Sequence, residues 1–154
     1  MKTQGGFLIT QIKQIGGRIF EKILDESGIR EFNGAQGKIL YVLWEHNGIA
    51  IAEISRLTGL ANTTLTSMLD RMEKNGLIQR VAHPKDRRKT LIYLTERAAG
   101  LKEKYFDVSE EMNQIYYRGF QEDEIIDFEQ KLERVLNNLK GVIYDEQNSG
   151  TDIK

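Results

Sequence analysis

The chain of 154 residues contains no cysteine, which excludes disulfides, thiolate metal ligands and thiol-based redox sensing. It has a single proline, and this scarcity, together with few runs of β-branched residues, favours a mainly helical protein. No apolar run approaches the roughly 18 residues of a membrane span, and no signal-peptide pattern opens the chain. We therefore expect a cytoplasmic protein without membrane contact.

The sequence also lacks the patterns of an enzyme. It has no phosphate-binding loop and no dinucleotide-binding glycine fingerprint, and its two histidines form no catalytic constellation with serine or aspartate. Carboxylates cluster at 110–111 and 122–124, but such clusters are typical of solvated helix surfaces and helix starts. We expect no catalysis, no metal and no cofactor.

Charge is unevenly distributed, although the formal net charge is only −1. Residues 50–95 hold eight Lys/Arg against four Asp/Glu, a net charge of +4, whereas residues 96–154 hold eight against fourteen, a net charge of −6. A basic middle segment is typical of a surface that binds a polyanion. An excess of this size also arises by chance. The position of the cations in the fold must therefore decide between a polyanion-binding surface and a chance distribution.

Apolar residues recur at helical spacing through most of the chain. Helices are predicted at about 7–26, 33–47, 51–58 and 62–75, with two further long helices from 95 and from 122. Asn33 and Gln36 form the pattern of a capping box, and Asn62 and Thr95 are expected to cap the helices that follow them.

Two short β-type runs, 77–82 and 90–94, flank a loop that contains Pro84 and predict a hairpin. Together with the second to fourth helices, the hairpin predicts a winged helix-turn-helix DNA-binding lobe at residues 32–95. The fold class is therefore mainly α, with this lobe between N- and C-terminal helices.

The helices outside the lobe carry long apolar stripes. These helices lie in residues 1–31 and 96–146, and one small core cannot cover both stripes, which favours a homodimer. We expect the two regions to form a dimerisation region, and residues 147–154 to form a flexible tail.

The fourth predicted helix has a small polar face opposite its apolar face. At about 100° per residue, Leu65, Met68, Leu69 and Met72 face the core. Short hydroxyl side chains dominate the start of the other face and cations its end: Asn62, Thr63, Thr64, Thr66, Ser67, Asp70, Arg71 and Lys74. Such side chains lower helix propensity, but they let a helix enter the major groove and hydrogen-bond with bases or phosphates. A plain solvated face is the alternative.

Asp70 is unusual on a face that is expected to meet phosphates. Its carboxylate can accept a hydrogen bond from a cytosine amino group, or it can orient an arginine. We favour the orienting role, with Arg71 or Arg88 as the arginine.

The predicted hairpin carries charged residues at its tip: Lys85, Asp86, Arg87, Arg88 and Lys89. Arginine at such a tip suits the minor groove, where narrow A·T-rich segments have a strongly negative potential. Asp86 lies two residues before Arg88 and can hold its guanidinium in a fixed pose. A solvated loop is the alternative, which the neighbouring polar helix makes the weaker reading.

Residues 48–95 resemble the DNA-binding domain of the MarR family of bacterial transcription regulators. The segments AEISRLTGL, NTTLTSMLDRMEKNGLIQR, DRR at 86–88 and LIYLTERA carry the resemblance, and the helix order extends it to about residues 7–145. It implies a homodimer on a pseudo-palindromic operator, with the fourth helix in the major groove. It also implies that Arg88 enters the minor groove with Asp86 as its partner. Ala50 departs from the pattern, where the family often has a Ser or Thr helix cap.

The resemblance further implies repression that a small, often phenolic or lipophilic, effector relieves by binding between the dimer helices and the lobe. The residues expected beside such a pocket are Gly16, Phe20, Tyr41 and Trp44. Simple core packing is the alternative for the last two. The absence of cysteine excludes the oxidant-sensing branch of the family, and His46 and His83 give a zinc-sensing branch too few ligands unless carboxylates contribute. A winged-helix scaffold that binds protein and not nucleic acid is the competing function.

Overall fold

The computed structural model describes residues 1–149, which form seven α-helices and three β-strands. In chain order these are α1 (Gly5–Glu26), α2 (Gly34–Glu45), β1 (Ile49–Ala50), α3 (Ile51–Thr58), α4 (Asn62–Lys74), β2 (Ile78–Ala82), β3 (Thr90–Leu94), α5 (Glu96–Ala99), α6 (Lys102–Tyr116) and α7 (Glu122–Ser149). The mainly α fold class is confirmed. In the described part of the chain, every helix is too short or too polar to span a lipid bilayer.

Two of the predicted caps are present. The Asn33 side chain accepts from the backbone N–H of Gln36 at 2.8 Å, and the Asn33 N–H donates to Gln36 Oε1 at 3.1 Å, which completes a capping box. Thr95 Oγ1 accepts from the N–H of Ala98 at 3.2 Å. The helix that Thr95 caps is α5, which is short, so the single long helix predicted from residue 95 is wrong.

The prediction that Asn62 caps α4 is also wrong. Ala61 is the extended N-cap, with φ −65° and ψ 147°, and Asn62 is the first helical residue. The Asn62 carbonyl instead accepts from the hydroxyl of Thr66 at 2.8 Å. An alanine side chain carries no acceptor, so this cap cannot satisfy the first N–H groups of α4.

The three strands form one antiparallel sheet in the order β1-β3-β2. The hairpin pairs Ile78 with Leu94 and Ala82 with Thr90, which matches the predicted strands closely. The third strand, β1, has only two residues and was not predicted from the sequence. It joins the edge of β3 just before α3 begins, so the sheet connects the lobe's first helices to the hairpin.

Gly48 tests how closely this sheet edge is packed. It has φ +75°, and a Cβ added there would lie 2.6 Å from two ring carbons of Tyr93. We expect Gly48→Ala to lower the thermal midpoint by several degrees, because left-handed strain costs about 1–2 kcal/mol before Tyr93 is displaced. Gly59 shares φ +75° but has no described atom within 4 Å of an added Cβ, so Gly59→Ala is the matched control for strain alone. Equal losses from the two variants would contradict close packing at Gly48.

One apolar core joins α1 to the winged-helix elements and to most of α6. Among its fully buried members are Leu43 of α2, Leu69 of α4 and Ile92 of β3, and α1 and α6 contribute Leu24 and Val108. This core lies in a compact unit that spans residues 1–113. The helices outside the lobe therefore do not all lie in a separate packing unit, and the predicted division at residues 31 and 96 stays a functional prediction.

A second compact unit begins at Gln114 and contains α7. The hydroxyl of Tyr117 donates to Glu129 Oε1 at 2.7 Å, and the rings of Tyr117 and Phe128 lie 6.3 Å apart. Burial, followed by the bond to Glu129, raises the pKa of Tyr117 to about 12. The predicted tail at 147–154 begins inside α7, and residues 150–154 lie outside the described residues.

Candidate nucleic-acid interface

Helix α4 divides into a buried face and a polar face as its spacing predicts. The side chains of Leu65, Leu69 and Met72 are fully buried. The predicted groove-facing residues are all exposed to solvent: Asn62, Thr63, Thr64, Thr66, Ser67, Asp70, Arg71 and Lys74. The helix therefore presents a continuous surface that begins with small hydroxyl side chains and ends with cations.

Two hydroxyl groups on this face already have partners within α4. Thr66 Oγ1 donates to the carbonyl of Asn62 at 2.8 Å, so its proton is used and its methyl and oxygen lone pairs face outward. Ser67 Oγ accepts from Arg71 Nη2 at 3.3 Å, which leaves the Ser67 proton as a donor for a base or a phosphate. Thr66 thus offers DNA a hydrogen-bond acceptor and a methyl group, whereas Ser67 offers a hydrogen-bond donor.

Asp70 contacts Arg80 of β2, and the predicted pairing with Arg71 or Arg88 is wrong. Asp70 Oδ1 lies 2.7 Å from Arg80 Nη2, and Glu73 Oε1 lies 3.3 Å from Arg80 Nη1. The backbone N–H of Arg80 also donates to Glu73 Oε2 at 3.2 Å. One arginine on the hairpin therefore joins two carboxylates that are one turn apart on α4.

Sequence reasoning did not single out Arg80, although a signal for it exists. Ile78 is buried, and side chains two residues apart on a strand share a face, so Arg80 must point to the same side as Ile78. That side is packed against the rest of the lobe, and Arg80 is only 24% exposed there. A cation at such a position needs a nearby carboxylate.

The β2–β3 hairpin forms the wing of the lobe, and the loop at its tip contains the predicted pairing of Asp86 with Arg88. Asp86 Oδ1 accepts from the Arg88 backbone N–H at 3.0 Å and from Arg88 Nε at 3.2 Å. The Arg88 side chain is 92% exposed. Asp86 thus fixes the direction of the Arg88 side chain, while the guanidinium stays accessible to an external ligand.

Charge and backbone contacts favour the ionised form of Asp86. The backbone N–H of Arg88, followed by its guanidinium, lowers the pKa of the Asp86 carboxyl. A lowered pKa means that the pairing holds at neutral pH and is lost only as the pH falls through that lowered value. Turn hydrogen bonds from Lys89 to the Asp86 carbonyl at 3.0 Å and from His83 to the Lys89 carbonyl at 2.9 Å close the same loop.

Hydrogen bonds at the base of the hairpin fix the end of α4. Arg97 Nη1 donates to the carbonyl of Asn75 at 2.8 Å, and Thr95 Oγ1 donates to the carbonyl of Gly76 at 2.7 Å. On the other side of the hairpin, Asn47 Oδ1 accepts from the N–H of Leu94 at 2.8 Å. These bonds connect loops that are distant in sequence, and they hold the polar face of α4 at a set angle to the hairpin.

Three of the four residues predicted beside an effector pocket meet around Tyr105 of α6, which sequence reasoning did not single out. The Tyr105 ring centroid lies 5.2 Å from that of Trp44, 6.0 Å from Phe20 and 6.2 Å from Tyr41. Gly16 is buried one turn before Phe20 on α1. Apolar periodicity in a sequence indicates which side of a helix is buried, but it could not show that Tyr105 contacts aromatic residues of other helices.

The aromatic cluster is buried at one end and exposed at the other. Trp44 Nε1 donates to the carbonyl of Ala98 at 3.0 Å, so its polar atom is satisfied by the fold. Tyr41 and Phe106 are 43% and 37% exposed, and their ring centroids lie 6.1 Å apart. In the residues that the structure describes, no three His, Asp or Glu side chains group as a metal site.

Comparison with known proteins places this geometry in a family. Residues 32–90 match the model of the MarR family. The Bacillus subtilis helix-turn-helix transcriptional regulator YsmB is 32% identical over 98 residues, which cover 64% of this chain and 67% of YsmB. The chain belongs to the MarR family.

Other MarR-family comparisons agree with this assignment. The organic hydroperoxide resistance transcriptional regulator of Bacillus subtilis is 45% identical over 69 residues, or 45% of this chain and 47% of that relative. The chain thus spans about half the length of that relative. A mutant of MarR from Escherichia coli, solved in complex with operator DNA, superposes with a TM-score of 0.77 at 28% identity, covering 85% of this chain and 92% of the other.

The MarR-family match contains the whole predicted interface. Its range, 32–90, includes every candidate residue from Asn62 on α4 to Lys89 on the wing. Both of these relatives from Bacillus subtilis are named as transcriptional regulators and not as enzymes, which agrees with the prediction of a non-enzymatic protein.

Proposed function

We propose that this MarR-family chain is a cytoplasmic transcription regulator that binds a pseudo-palindromic operator as a homodimer. The observation that carries the proposal is the pairing of an exposed hydroxyl-rich face on α4 with the exposed Arg88 on the wing. The family assignment and the operator complex of Escherichia coli MarR support it.

In this proposal, α4 enters the major groove with its N-terminal half. Thr63, Thr64 and Thr66 are short enough for the helix axis to approach the base edges, and the Thr66 methyl suits the thymine methyl. Ser67 donates to a base acceptor or a phosphate. Arg71 and Lys74, one or two turns later, contact the backbone phosphates that fix the register.

The wing contributes the second groove. Arg88 enters the minor groove, where its guanidinium is attracted by the potential of a narrow A·T-rich segment. Lys85, Arg87 and Lys89 neutralise neighbouring phosphates. Asp86 stays outside the groove and sets the direction of Arg88 through the two hydrogen bonds to Oδ1.

Two exposed apolar stripes support the homodimer, and each is described in its own unit. On α1, Phe7, Leu8, Ile9, Ile12 and Ile15 are 44–67% exposed. On α7, the large apolar residues from position 132 onward are 40–59% exposed: Leu132, Val135, Leu136, Leu139, Val142 and Ile143. Stripes of this length need a partner surface, and a second copy provides one.

We further propose that the chain is a repressor whose affinity for DNA is lowered by a small aromatic or lipophilic effector. A dimer bound across two grooves blocks access of other proteins to the same DNA. The exposed edge of the aromatic cluster, at Tyr41 and Phe106, is the proposed contact surface for the effector, beside Gly16, Phe20 and Trp44. An effector that favours a different spacing of the two α4 helices lowers affinity through a coupling of about 1–3 kcal/mol.

Selection of bound duplexes from a random pool tests the proposal. We expect enrichment of inverted half-sites whose centres are about one helical turn, roughly 34 Å, apart. The affinity should also fall steeply with salt, because the cations on α4 and the wing release counter-ions from phosphate. No enrichment at the lowest ionic strength would overturn the proposal and favour the protein-binding scaffold.

The same selection with Ser67→Ala separates base reading from general attraction. We expect the preferred bases to change at one position of each half-site while affinity for random duplex changes less than about twofold, because a hydroxyl donor adds no charge. A uniform loss over all sequences would show that Ser67 contacts only the backbone.

A further inference from the structure

We infer that Arg80 is the internal counter-ion of Asp70 and a positioning residue that attaches the wing to α4, and that it does not itself contact DNA. The inference rests on the proposed function. It assigns a role to Asp70, whose negative charge is unusual on the groove-facing side of α4. Three observations carry it: the contacts of the Arg80 guanidinium with two carboxylates, the exposure of those carboxylates, and the position of the contact between α4 and the hairpin.

The guanidinium of Arg80 is already occupied on both of its terminal nitrogens. Nη2 lies 2.7 Å from Asp70 Oδ1, and Nη1 lies 3.3 Å from Glu73 Oε1. Its side chain is 24% exposed, against 92% for Arg88 on the same hairpin. The two carboxylates beside Arg80 would repel an approaching phosphate, whereas Arg88 can reach a phosphate or a groove without losing burial.

The two carboxylates, unlike the arginine, are open to solvent and hence to DNA. The Asp70 side chain is 63% exposed, and that of Glu73 is 44% exposed. With Arg80 the three groups carry a net charge of −1, and without it the same surface carries −2. Phosphates that meet α4 lie within the screening length of about 8–10 Å, so this difference acts directly on DNA affinity.

The contact also spans two separate parts of the interface. Asp70 and Glu73 lie one turn apart on the same side of α4, while Arg80 lies in the middle of β2, opposite Ile92 of β3. The Arg80 backbone N–H donates to Glu73 as well, so the strand is held by main chain and side chain together. The wing and α4 are thereby set at one relative position, which is what a protein that reads two grooves at once requires.

A cycle of variants separates this role from a direct contact with DNA. We expect Arg80→Ala to weaken operator binding about fivefold, because it leaves the carboxylates of Asp70 and Glu73 facing phosphate without their counter-ion. Asp70→Asn alone should raise affinity slightly, by less than about threefold, because it removes one negative charge near phosphate while Glu73 still holds Arg80. In the double variant, Asp70→Asn should restore affinity to within about twofold of the parent chain, because it returns the net charge of this surface from −2 to the parent's −1. The backbone N–H of residue 80 still donates to Glu73, so the strand stays attached to α4.

The slope of log affinity against log salt gives an independent readout. We expect the slope of Arg80→Ala to equal that of the parent, because Arg80 neutralises no phosphate. Lys74→Ala, which removes an exposed cation from the same helix, is the control and should lower the slope by about 0.9. Arg80→Lys keeps the charge but cannot hold both carboxylates in a fork, and it should retain most of the affinity.

Affinities are compared per active protein, with thermal unfolding of each variant, so that loss of fold is not counted as loss of contact. A fall in slope for Arg80→Ala, or a loss that Asp70→Asn does not restore, would overturn the inference and assign Arg80 to the phosphate backbone. A parent chain that binds no duplex would overturn the proposed function and this inference together, whereas a binding parent with an unrescued double variant overturns only the inference.

Discussion

Replacement of Arg88 by alanine is expected to weaken binding to operator duplex at least about tenfold, equivalent to ~1.4 kcal/mol or more. The Arg88 side chain is 92% exposed and its guanidinium is directed by Asp86, so it is available to the minor groove without first leaving another site in the fold. Its removal takes away one cation and one groove contact. Fluorescence anisotropy with a labelled duplex over a range of salt concentrations measures both effects.

Neighbouring variants show whether position or charge matters at the wing tip. Arg87→Ala removes the same charge one residue earlier, and we expect a loss of about threefold or less, typical of a phosphate contact at moderate salt. Asp86→Asn retains an acceptor but removes the charge that holds Arg88. Its loss of affinity should lie between the losses for Arg87→Ala and Arg88→Ala. Equal losses for Arg87→Ala and Arg88→Ala would mean that the wing acts only as a general cation, and an unchanged affinity for Arg88→Ala would remove its proposed role.

Patterns that depend on neighbours in sequence could be predicted correctly. The capping box at Asn33 and Gln36 needs only a three-residue spacing, and it is present in the structure. The pairing of Asp86 with Arg88 is equally local, because a turn brings residues two apart into contact whatever the rest of the fold does. The apolar face of α4 follows from helical periodicity alone.

Contacts between distant segments could not be predicted. The pairing of Asp70 with Arg80 depends on the angle at which β2 leaves α4, and the meeting of Trp44 with Tyr105 depends on how α2 packs against α6. Single-sequence periodicity gives the buried side of an element but not the residue that it faces. Strand β1 was missed for a related reason: two residues are too short to show an alternation, and they form a strand because β3 offers an open edge.

The break between α5 and α6 shows a third kind of limit. Apolar spacing continues through Ala98, Leu101 and Tyr105, and all three are buried, so the pattern predicts one helix. At Leu101 the backbone N–H donates to Ala98, three residues back, before the four-residue spacing resumes with Tyr105. A single tightened turn keeps the same face buried while it changes the hydrogen bonding, so the hydrophobic pattern carries no trace of it.

The largest effect is expected when the apolar stripe of α7 is interrupted by charge. Leu136 and Leu139 are 48% and 59% exposed in the single chain, so Leu136→Glu with Leu139→Glu should leave the fold of one subunit intact. Two glutamates at a two-fold interface would meet two more from the partner. The free-energy cost of burying these carboxylates unpaired exceeds the stabilisation that the apolar stripe contributes to the dimer. We expect sedimentation of a 17.7 kDa monomer, in contrast to a dimer for the parent chain.

Loss of the dimer should reduce operator affinity by about 100-fold or more, because each half-site then binds without the effective concentration that the first contact supplies to the second. Gln130→Glu with Asn137→Glu is the matched control, since it adds the same charge to exposed positions on the opposite side of α7. This control should remain dimeric and keep the affinity of the parent. A Leu136/Leu139 variant that stays dimeric, or a monomer that binds as tightly as the parent, would show that α7 does not set the spacing of the two α4 helices.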